Sequence, residues 1–178
     1  MRHNTLNNKA IFLDRDGVVN KDTGYVYKIT DFEFNPGIFE ICLHFITLGY
    51  QIVILTNQSG IYRNYYTQDD FLLLTNWMIE IFAQKNIKIL DVLHCPHGPE
   101  SNCQCRKPKP GMIIKAKEEH NINLSESWLI GDNETDISAA HSAGIKQTIL
   151  VDMNKKNKKS TAYKIVSSIS EIAKVIKT

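Results

Sequence analysis

Length, composition and charge set the first bounds on this protein. The 178 residues can bury one sizeable core but are too few for two large domains. With 43% hydrophobic and 22% charged residues, the chain has the composition of a globular protein rather than a disordered or fibrous one. Its 21 basic and 19 acidic residues give a net charge of +2, which does not indicate a nucleic-acid-binding protein.

Membrane and targeting segments are not indicated by the sequence. No run approaches the ~20 consecutive apolar residues that span a bilayer. The residues before Ala10 lack the apolar stretch of a signal peptide. We therefore expect a cytoplasmic monomer with neither a membrane nor a nucleic acid as partner.

Strand-like apolar runs alternate with helical stretches along the chain, which is typical of βαβ units and a parallel sheet. In the first part, residues 10–13 and 52–55 predict buried strands. Between them, Asn35 and Pro36 predict the N-cap and first position of a helix that ends near Gly49.

The central part of the chain predicts a second helix and a third strand. Thr67 and Asp70 predict the start of that helix, and the apolar stripe over residues 71–82 has the spacing of a core-facing side. Residues 89–93 predict the strand, which leads directly into a loop that is rich in Cys and His.

The last part predicts a helix that begins at Pro110, a strand over 128–130, a helix over 137–143 and a strand over 148–150. Residues 154–178 then predict a lysine-rich connector and a short helix. Ser168 and Glu171 are the expected caps of this last helix.

Right-handed crossovers between these strands predict a doubly wound, Rossmann-like α/β parallel sheet with helices on both faces. We expect one domain over residues 1–178, with no large cap domain and with the loop 95–105 inserted. Ligands of such sheets bind beyond the carboxyl ends of the strands. Polar residues follow three of the strands, at 14–17, 56–60 and 131–136, so we expect one site there.

Acidic residues at these strand ends predict a magnesium site. In an extended chain Asp14 and Asp16 point the same way, and Asp132 would arrive from a neighbouring strand. An all-oxygen set of this kind suits Mg²⁺. Each acid alone could be a helix cap or turn former, but three together without a metal would raise one another's pKa.

A second metal site is predicted by Cys95, His97, Cys103 and Cys105. In a reducing compartment such a cluster indicates metal before disulfides. Three thiolates and one imidazole complete a tetrahedral set, which favours structural Zn²⁺. An incidental cluster and a redox pair are the alternatives.

The run Leu13-Asp14-Arg15-Asp16-Gly17-Val18 resembles the Asp-x-Asp-Gly motif of the haloacid-dehalogenase-like phosphatases. The resemblance implies that Asp14 attacks phosphorus to form an aspartyl phosphate, while Asp16 protonates the leaving oxygen and then activates water. It also implies that Thr56 holds phosphate oxygens and that Lys107 neutralises the developing charge.

The same resemblance assigns the acids after the fourth strand. The resemblance implies that Asp132 binds Mg²⁺ together with Asp14 and Asp16. It implies that Asp136 supports Asp132 without binding the ion itself. Asn133 stands where related enzymes often have Lys, which leaves Lys107 to supply the positive charge at this point.

The Cys/His loop followed by Cys105-Arg106-Lys107-Pro108 resembles a narrower group from about Ala10 to Val151: the heptose 1,7-bisphosphate phosphatases and the related histidinol-phosphate phosphatases. Gly24-Tyr25-Val26 and the run 56–61 favour the heptose enzymes. This implies removal of the C7 phosphate in nucleotide-heptose and lipopolysaccharide biosynthesis. Histidinol phosphate is the alternative substrate.

Substrate contacts are expected from polar and basic residues around the predicted cleft. Cations exceed what one phosphoryl group beside Mg²⁺ requires, so a distal phosphate of a sugar bisphosphate would be bound by Arg63, Arg106 and Lys109. The expected substrate-binding residues are Asn57, Gln58, Ser59, Arg63, Arg106 and Lys109.

Two other classes of protein compete with the phosphatase interpretation. A phosphorylated receiver domain also gathers Asp, Thr, Lys and Mg²⁺ at strand ends, but it needs neither Asp16 nor a zinc loop. A zinc-stabilised nucleic-acid-binding module would require a basic, aromatic-rich surface that the sequence does not predict.

Overall fold

The computed structural model describes residues 8–154 and 159–177. Over these residues one parallel sheet runs through the molecule. Its strands are β1 (Ala10–Asp14), β2 (Gln51–Asn57), β3 (Ile89–Cys95), β4 (Trp128–Gly131), β5 (Gln147–Val151) and β6 (Lys164–Val166). The spatial order is β3-β2-β1-β4-β5-β6, as in a doubly wound α/β sheet, so the predicted fold class is confirmed.

Helices cover both faces of the sheet. They are α1 (Ile38–Thr47), α2 (Ser59–Tyr62), α3 (Gln68–Gln84), α4 (Gly111–His120), α5 (Glu134–Ala143) and α6 (Ile172–Val175). In β1, Ile11 and Leu13 pack with α1, α3 and α6, while Ala10 and Phe12 pack with α4 and α5. This alternation follows from the period of two in a strand, and it gives the sheet a core on each side.

Sequence signals for the later helices largely hold. Thr67 and Asp70 form the predicted capping box of α3, with the Thr67 hydroxyl accepting from the Asp70 backbone and the Asp70 carboxylate accepting from that of Thr67. Pro110 is the N-cap of α4 rather than its first residue, since the helix begins at Gly111.

The predicted start of α1 is wrong. Gly37, with a φ of 87°, is the N-cap of this helix, in place of Asn35. The buried amide of Asn35 instead donates to the carbonyl oxygens of Gly17 and Val18. Asn35 therefore braces the turn that follows β1, which sequence spacing alone did not indicate.

The carboxyl-terminal part also departs from the prediction. Strand β6 was not predicted, because its three residues at the sheet edge expose all but Val166. The side chain of Ser168 does not cap the last helix, since Glu171 accepts hydrogen bonds from the backbone and hydroxyl of Ser167 instead. Of the predicted lysine-rich connector, residues 155–158 lie outside the described residues.

None of the helices within residues 8–154 and 159–177 combines the length and apolar character needed to cross a bilayer.

The predicted polar segments after β1, β2 and β4 lie at the carboxyl edge of the sheet. In the register of the sheet, Asp14 pairs with Leu55 and Leu13 with Ile130. The ends of the three strands are therefore brought together, as the chemistry inferred from the sequence requires.

Candidate active site

A polar cleft opens at the carboxyl edge of the sheet, with a volume of about 370 Å³. The residues that line the cleft are mostly charged or polar, which suits a charged, hydrophilic ligand rather than an apolar one. The cleft brings together residues from β1, β2, the loop after β3 and the start of α5. Its lining residues are Asp14, Asp16, Asp22, Thr56, Asn57, Arg106, Lys107, Asp132, Asn133, Thr135 and Asp136.

The ammonium group of Lys107 lies at the centre of the cleft floor. It is 2.6 Å from Oδ1 of Asp14 and 2.7 Å from Oδ1 of Asp136, and its side chain is only 4% exposed. Burial alone would lower the pKa of Lys107, but the charges of Asp136 and Asp14 outweigh it and raise the pKa above its usual value. Lys107 is therefore held as a cation against the predicted nucleophile.

Asn57 fixes the backbone that carries Lys107. Its side-chain oxygen accepts from the Lys107 amide at 3.1 Å, and its Nδ2 donates to the Lys107 carbonyl at 3.2 Å. This two-way bond ties the end of β2 to the loop after β3. Asn57 was expected to contact substrate, and the structure engages its amide in positioning Lys107.

Three carboxylates meet beside Lys107. Ligand oxygens of Asp14, Asp132 and Asp136 lie within 4.8 Å of one another. Burial and the charge of Asp136 raise the pKa of Asp14 well above its usual value, although Lys107 opposes them. Burial and repulsion from Asp136 likewise raise the pKa of Asp132 to about 6. One lysine thus leaves the carboxylates undercompensated, which is the electrostatic condition that a bound divalent cation relieves.

Close packing of these carboxylates depends on two glycines. A Cβ on Gly17 would lie 2.0 Å from Oδ2 of Asp132, and Gly17 also has a φ of 94°. A Cβ on Gly131 would lie 2.5 Å from Oδ2 of Asp136. The glycine of the Asp-x-Asp-Gly motif is therefore needed both for the turn and for the approach of Asp132.

The side chain of Asp16 does not join the group of three carboxylates. Its oxygens accept from Nη2 of Arg15 at 2.9 Å, from Nδ2 of Asn20 at 3.1 Å and from Nε2 of Gln58 at 3.1 Å. The extended geometry that predicted parallel side chains ends at Asp14, because the backbone turns at Arg15. Asp16 still lines the cleft, with 22% of its side chain exposed.

Thr56 lies buried at the end of β2, where it also lines the cleft. Its hydroxyl is 3.4 Å from Oδ2 of Asp16 and accepts from Nε2 of Gln58 at 2.7 Å. Thr56 is thus placed between the predicted phosphate position and the predicted general acid. Ser59 lines a neighbouring recess that also includes Asp16 and Gln58.

The Cys/His loop gathers all four predicted metal ligands within 4.8 Å. The Cys95 sulfur lies 3.7 Å from that of Cys103 and 3.0 Å from that of Cys105, and Nδ1 of His97 lies 3.5 and 3.3 Å from Cys95 and Cys105. A tetrahedral Zn²⁺ with Zn–S bonds of about 2.3 Å would place its sulfurs about 3.7 Å apart. The donor set suits a structural zinc ion, and the separation of Cys95 and Cys103 equals this value, while Cys95 and Cys105 lie closer together.

The basic residues predicted to bind substrate separate in the structure. Arg106 lines the cleft, and its Nη1 donates to the His97 carbonyl at 3.2 Å. The ammonium group of Lys109 donates to the Cys103 carbonyl at 2.7 Å and to Oδ1 of Asn102 at 3.0 Å, so Lys109 braces the Cys/His loop. Arg63 is the exposed C-cap of α2 and does not line the cleft.

Sequence reasoning missed two residues of this site. Arg15 is 1% exposed and pairs with Asp16, although it was regarded only as the variable position of the motif. Tyr66 is also buried and hydrogen-bonds to Gln58. The sequence did contain a signal for Arg15, because a basic residue between two functional acids is expected to pair with one of them. It contained no comparable signal for Tyr66.

The chain is similar to named bacterial phosphatases. A relative from Campylobacter jejuni, named D-glycero-alpha-D-manno-heptose-1,7-bisphosphate 7-phosphatase, is 47% identical over 169 residues, covering 95% of this chain and 96% of the relative. A Helicobacter pylori relative, named for the beta anomer of the same substrate, is 48% identical over 148 residues, covering 83% of this chain and 86% of the relative. The chain belongs to this family of heptose-bisphosphate 7-phosphatases.

Solved structures and a family model agree with this membership. A D,D-heptose 1,7-bisphosphate phosphatase from B. bronchiseptica, crystallised with magnesium and phosphate, superposes with a TM-score of 0.82 at 28% identity, covering 94% of this chain and 97% of that chain. The model of a family described as HAD-hydrolase-like matches residues 104–174. Asn133 is the N-cap of α5, where its side chain accepts from the Thr135 amide.

We expect Mg²⁺ to stabilise the fold through the carboxylates. At 100 times its dissociation constant, a ligand of the native state adds about 2.7 kcal/mol, which corresponds to a rise in Tm of about 5–10 °C for a chain of this size. Asp132→Asn should abolish the rise, whereas Asp31→Asn, at an exposed site, should keep it. An equal rise for Asp132→Asn in differential scanning fluorimetry would place the ion elsewhere.

Proposed function

We propose that this protein is a Mg²⁺-dependent phosphatase that removes the C7 phosphate of D-glycero-D-manno-heptose 1,7-bisphosphate through an aspartyl-phosphate intermediate. The observation that carries the proposal is the buried contact between Lys107 and Asp14 in a cleft that Asp132 also lines. The names of the relatives supply the substrate class. The product, heptose 1-phosphate, would serve the synthesis of nucleotide-activated heptose for lipopolysaccharide and other surface polysaccharides.

The reaction divides between the two aspartates of the first motif. The carboxylate of Asp14 attacks phosphorus, and the bond from phosphorus to the sugar oxygen breaks while Asp16 gives that oxygen a proton. Water then attacks the aspartyl phosphate as Asp16 takes up one of its protons, which releases phosphate and restores Asp14. Lys107 and the hydroxyl of Thr56 offset the charge that builds on the phosphoryl oxygens.

Mg²⁺ fits the oxygen donors of this cleft. We assign Asp14 and Asp132 as its side-chain ligands, because both oxygens of Asp136 are engaged, by Lys107 and by the Asn133 backbone amide, and the side chain of Asp16 is engaged by Arg15. When bound, the ion would neutralise the phosphoryl group and the facing carboxylates. Its positive charge would also offset the repulsion between carboxylates that helps to raise the pKa values of Asp14 and Asp132.

Zinc has a structural role in this proposal. Its ligands come from one short loop, so metal binding supplies the order of that loop. The loop leads directly from Cys105 into Arg106 and Lys107, and Arg106 is bonded to the carbonyl of His97. The zinc ion therefore fixes the positions of two cations of the cleft, Arg106 and Lys107.

A distal phosphate is best placed at Arg106. This side chain lies on both the cleft and an adjoining recess of about 560 Å³, which extends over the metal loop to Ser101 and Lys109. Guanidinium groups bind phosphate through paired, charge-assisted hydrogen bonds. Arg63 is left out of this subsite because it lies apart from the cleft, and Lys109 contributes from the recess.

Substrate preference provides the test of the proposal. Loss of one or two charge-assisted contacts at ~1.5–3 kcal/mol each predicts a kcat/KM for heptose 1,7-bisphosphate about 10²-fold or more above that for histidinol phosphate, whose cationic end would be repelled. Phosphate release should be measured with both anomers, because relatives are named for each. Equal or reversed values would assign the protein to histidinol phosphate or another monophosphate.

Arg106→Ala separates the subsite from the chemistry. It should lower kcat/KM for the bisphosphate about tenfold or more, the scale of one charge-assisted contact, and spare p-nitrophenyl phosphate, which has no second phosphate. An equal loss with both substrates would show that Arg106 serves the transferred phosphoryl group rather than a distal one.

The role of zinc can be tested by elemental analysis. About one zinc ion per chain is expected, and Cys103→Ser should lose both the ion and most activity while far-UV circular dichroism keeps the α/β signal. The matched control is Cys42→Ala, which removes a thiol on the buried face of α1 and should keep the zinc. Full activity in a zinc-free wild-type preparation would contradict this role.

A further inference from the structure

The amide of Gln58 is fully engaged by protein groups. The residue is 2% exposed, and its Nε2 donates to Oδ2 of Asp16 at 3.1 Å and to the Thr56 hydroxyl at 2.7 Å. Its Oε1 accepts from the hydroxyl of Tyr66. An amide offers two donor hydrogens and one acceptor oxygen, so this environment uses both of its ends. Gln58 is therefore poorly placed for the substrate contact that the sequence predicted.

Tyr66 is built into the wall behind this amide. Its ring stacks on Tyr27 with centroids 4.9 Å apart, and a Cβ on Gly60 would lie 2.1 Å from the ring. Burial is the main reason why the pKa of Tyr66 is raised to about 12. The hydroxyl therefore stays protonated and acts as a donor toward Gln58 at neutral pH.

The Tyr66 hydroxyl anchors the end of the amide that faces away from Asp16. With Oε1 bonded to Tyr66, the NH₂ group points at the carboxylate. If the amide turned over, Oε1 would face the carboxylate oxygens of Asp16, which places acceptor against acceptor. Removal of the Tyr66 hydroxyl takes from the buried Oε1 the donor that holds it in place, so the Gln58 side chain loses its anchor.

We propose that Tyr66 is a positioning residue for phosphoryl transfer: acting through Gln58, it holds the carboxylate of Asp16 in the orientation from which it transfers protons. Asn20 and Nη2 of Arg15 bond the other oxygen, Oδ1, while Nε of Arg15 shares Oδ2 with Gln58 at 3.2 Å. The inference rests on the proposed function, because that function gives Asp16 its proton. The step affected is the one in which the Asp16 proton moves to the leaving oxygen as the phosphorus–oxygen bond breaks.

Leaving-group dependence distinguishes this role from a structural one. A sugar oxygen needs protonation as it departs, whereas p-nitrophenolate departs with little help from an acid. Both substrates bind their transferred phosphate beside Asp14, Thr56 and Lys107. Misorientation of Asp16 should therefore slow the first reaction selectively, while damage to the phosphate site slows both.

The experiment compares single-turnover rates with enzyme in excess, so that only the phosphorylation step is observed. For Tyr66→Phe we expect release of heptose 1-phosphate from the bisphosphate to slow about tenfold or more, a part of the ~10²–10⁴-fold that a general acid contributes in full. Release of nitrophenolate should stay within about twofold of wild type. The enzyme is kept at saturating concentration over the substrate, so that a fraction of unfolded enzyme does not alter the rate that is read.

Tyr65→Phe is the matched control. It removes the same hydroxyl from the neighbouring residue, whose side chain is 55% exposed, and should leave both rates unchanged. Gln58→Leu removes both ends of the amide and should reproduce the selective loss. Unchanged sugar release in Tyr66→Phe, or equal slowing of both substrates, would overturn the positioning role. Wild-type enzyme inactive on both substrates would instead refute the proposed function.

Discussion

The buried ion pair between Lys107 and Asp14 is the interaction on which the rest of the site depends. A buried ammonium group is costly unless it is paired, and Lys107 satisfies this requirement with Asp14 on β1 and Asp136 on α5. The same contact draws three carboxylates together around one cation. The fold thus holds an arrangement that is electrostatically complete only with a divalent cation, and it places the nucleophile within that arrangement.

Two structural devices keep Lys107 in its place. Asn57 grips the backbone of Lys107 from the end of β2, and the Cys/His loop fixes the chain immediately before it. The carboxylate of Asp16 is positioned separately, because Arg15 bonds both of its oxygens and Gln58 bonds Oδ2. The proposed nucleophile and the proposed general acid, two residues apart in sequence, are therefore oriented by different side chains.

The sequence predicted much of the fold because parallel strands and their helices have clear apolar patterns; only the short, exposed β6 lacked one. It also predicted that Cys95, His97, Cys103 and Cys105 gather in one loop, since they lie close together in sequence. The orientation of Asp16 could not be read from spacing, because the strand geometry ends at Asp14. The hydrogen bonds of Gln58 with Tyr66 and of Lys109 with the Cys/His loop could not be predicted either. Each depends on tertiary contacts that no local pattern encodes.

Identification of the phosphorylated residue would show whether Asp14 is the nucleophile. Wild-type enzyme should be mixed with ³²P-labelled substrate, quenched in acid within milliseconds and mapped by peptide mass spectrometry. We expect a hydroxylamine-labile acyl phosphate on Asp14, and we expect Asp14→Asn to form none. Turnover without any such intermediate, or a label on another residue, would contradict the assignment of Asp14 as the nucleophile.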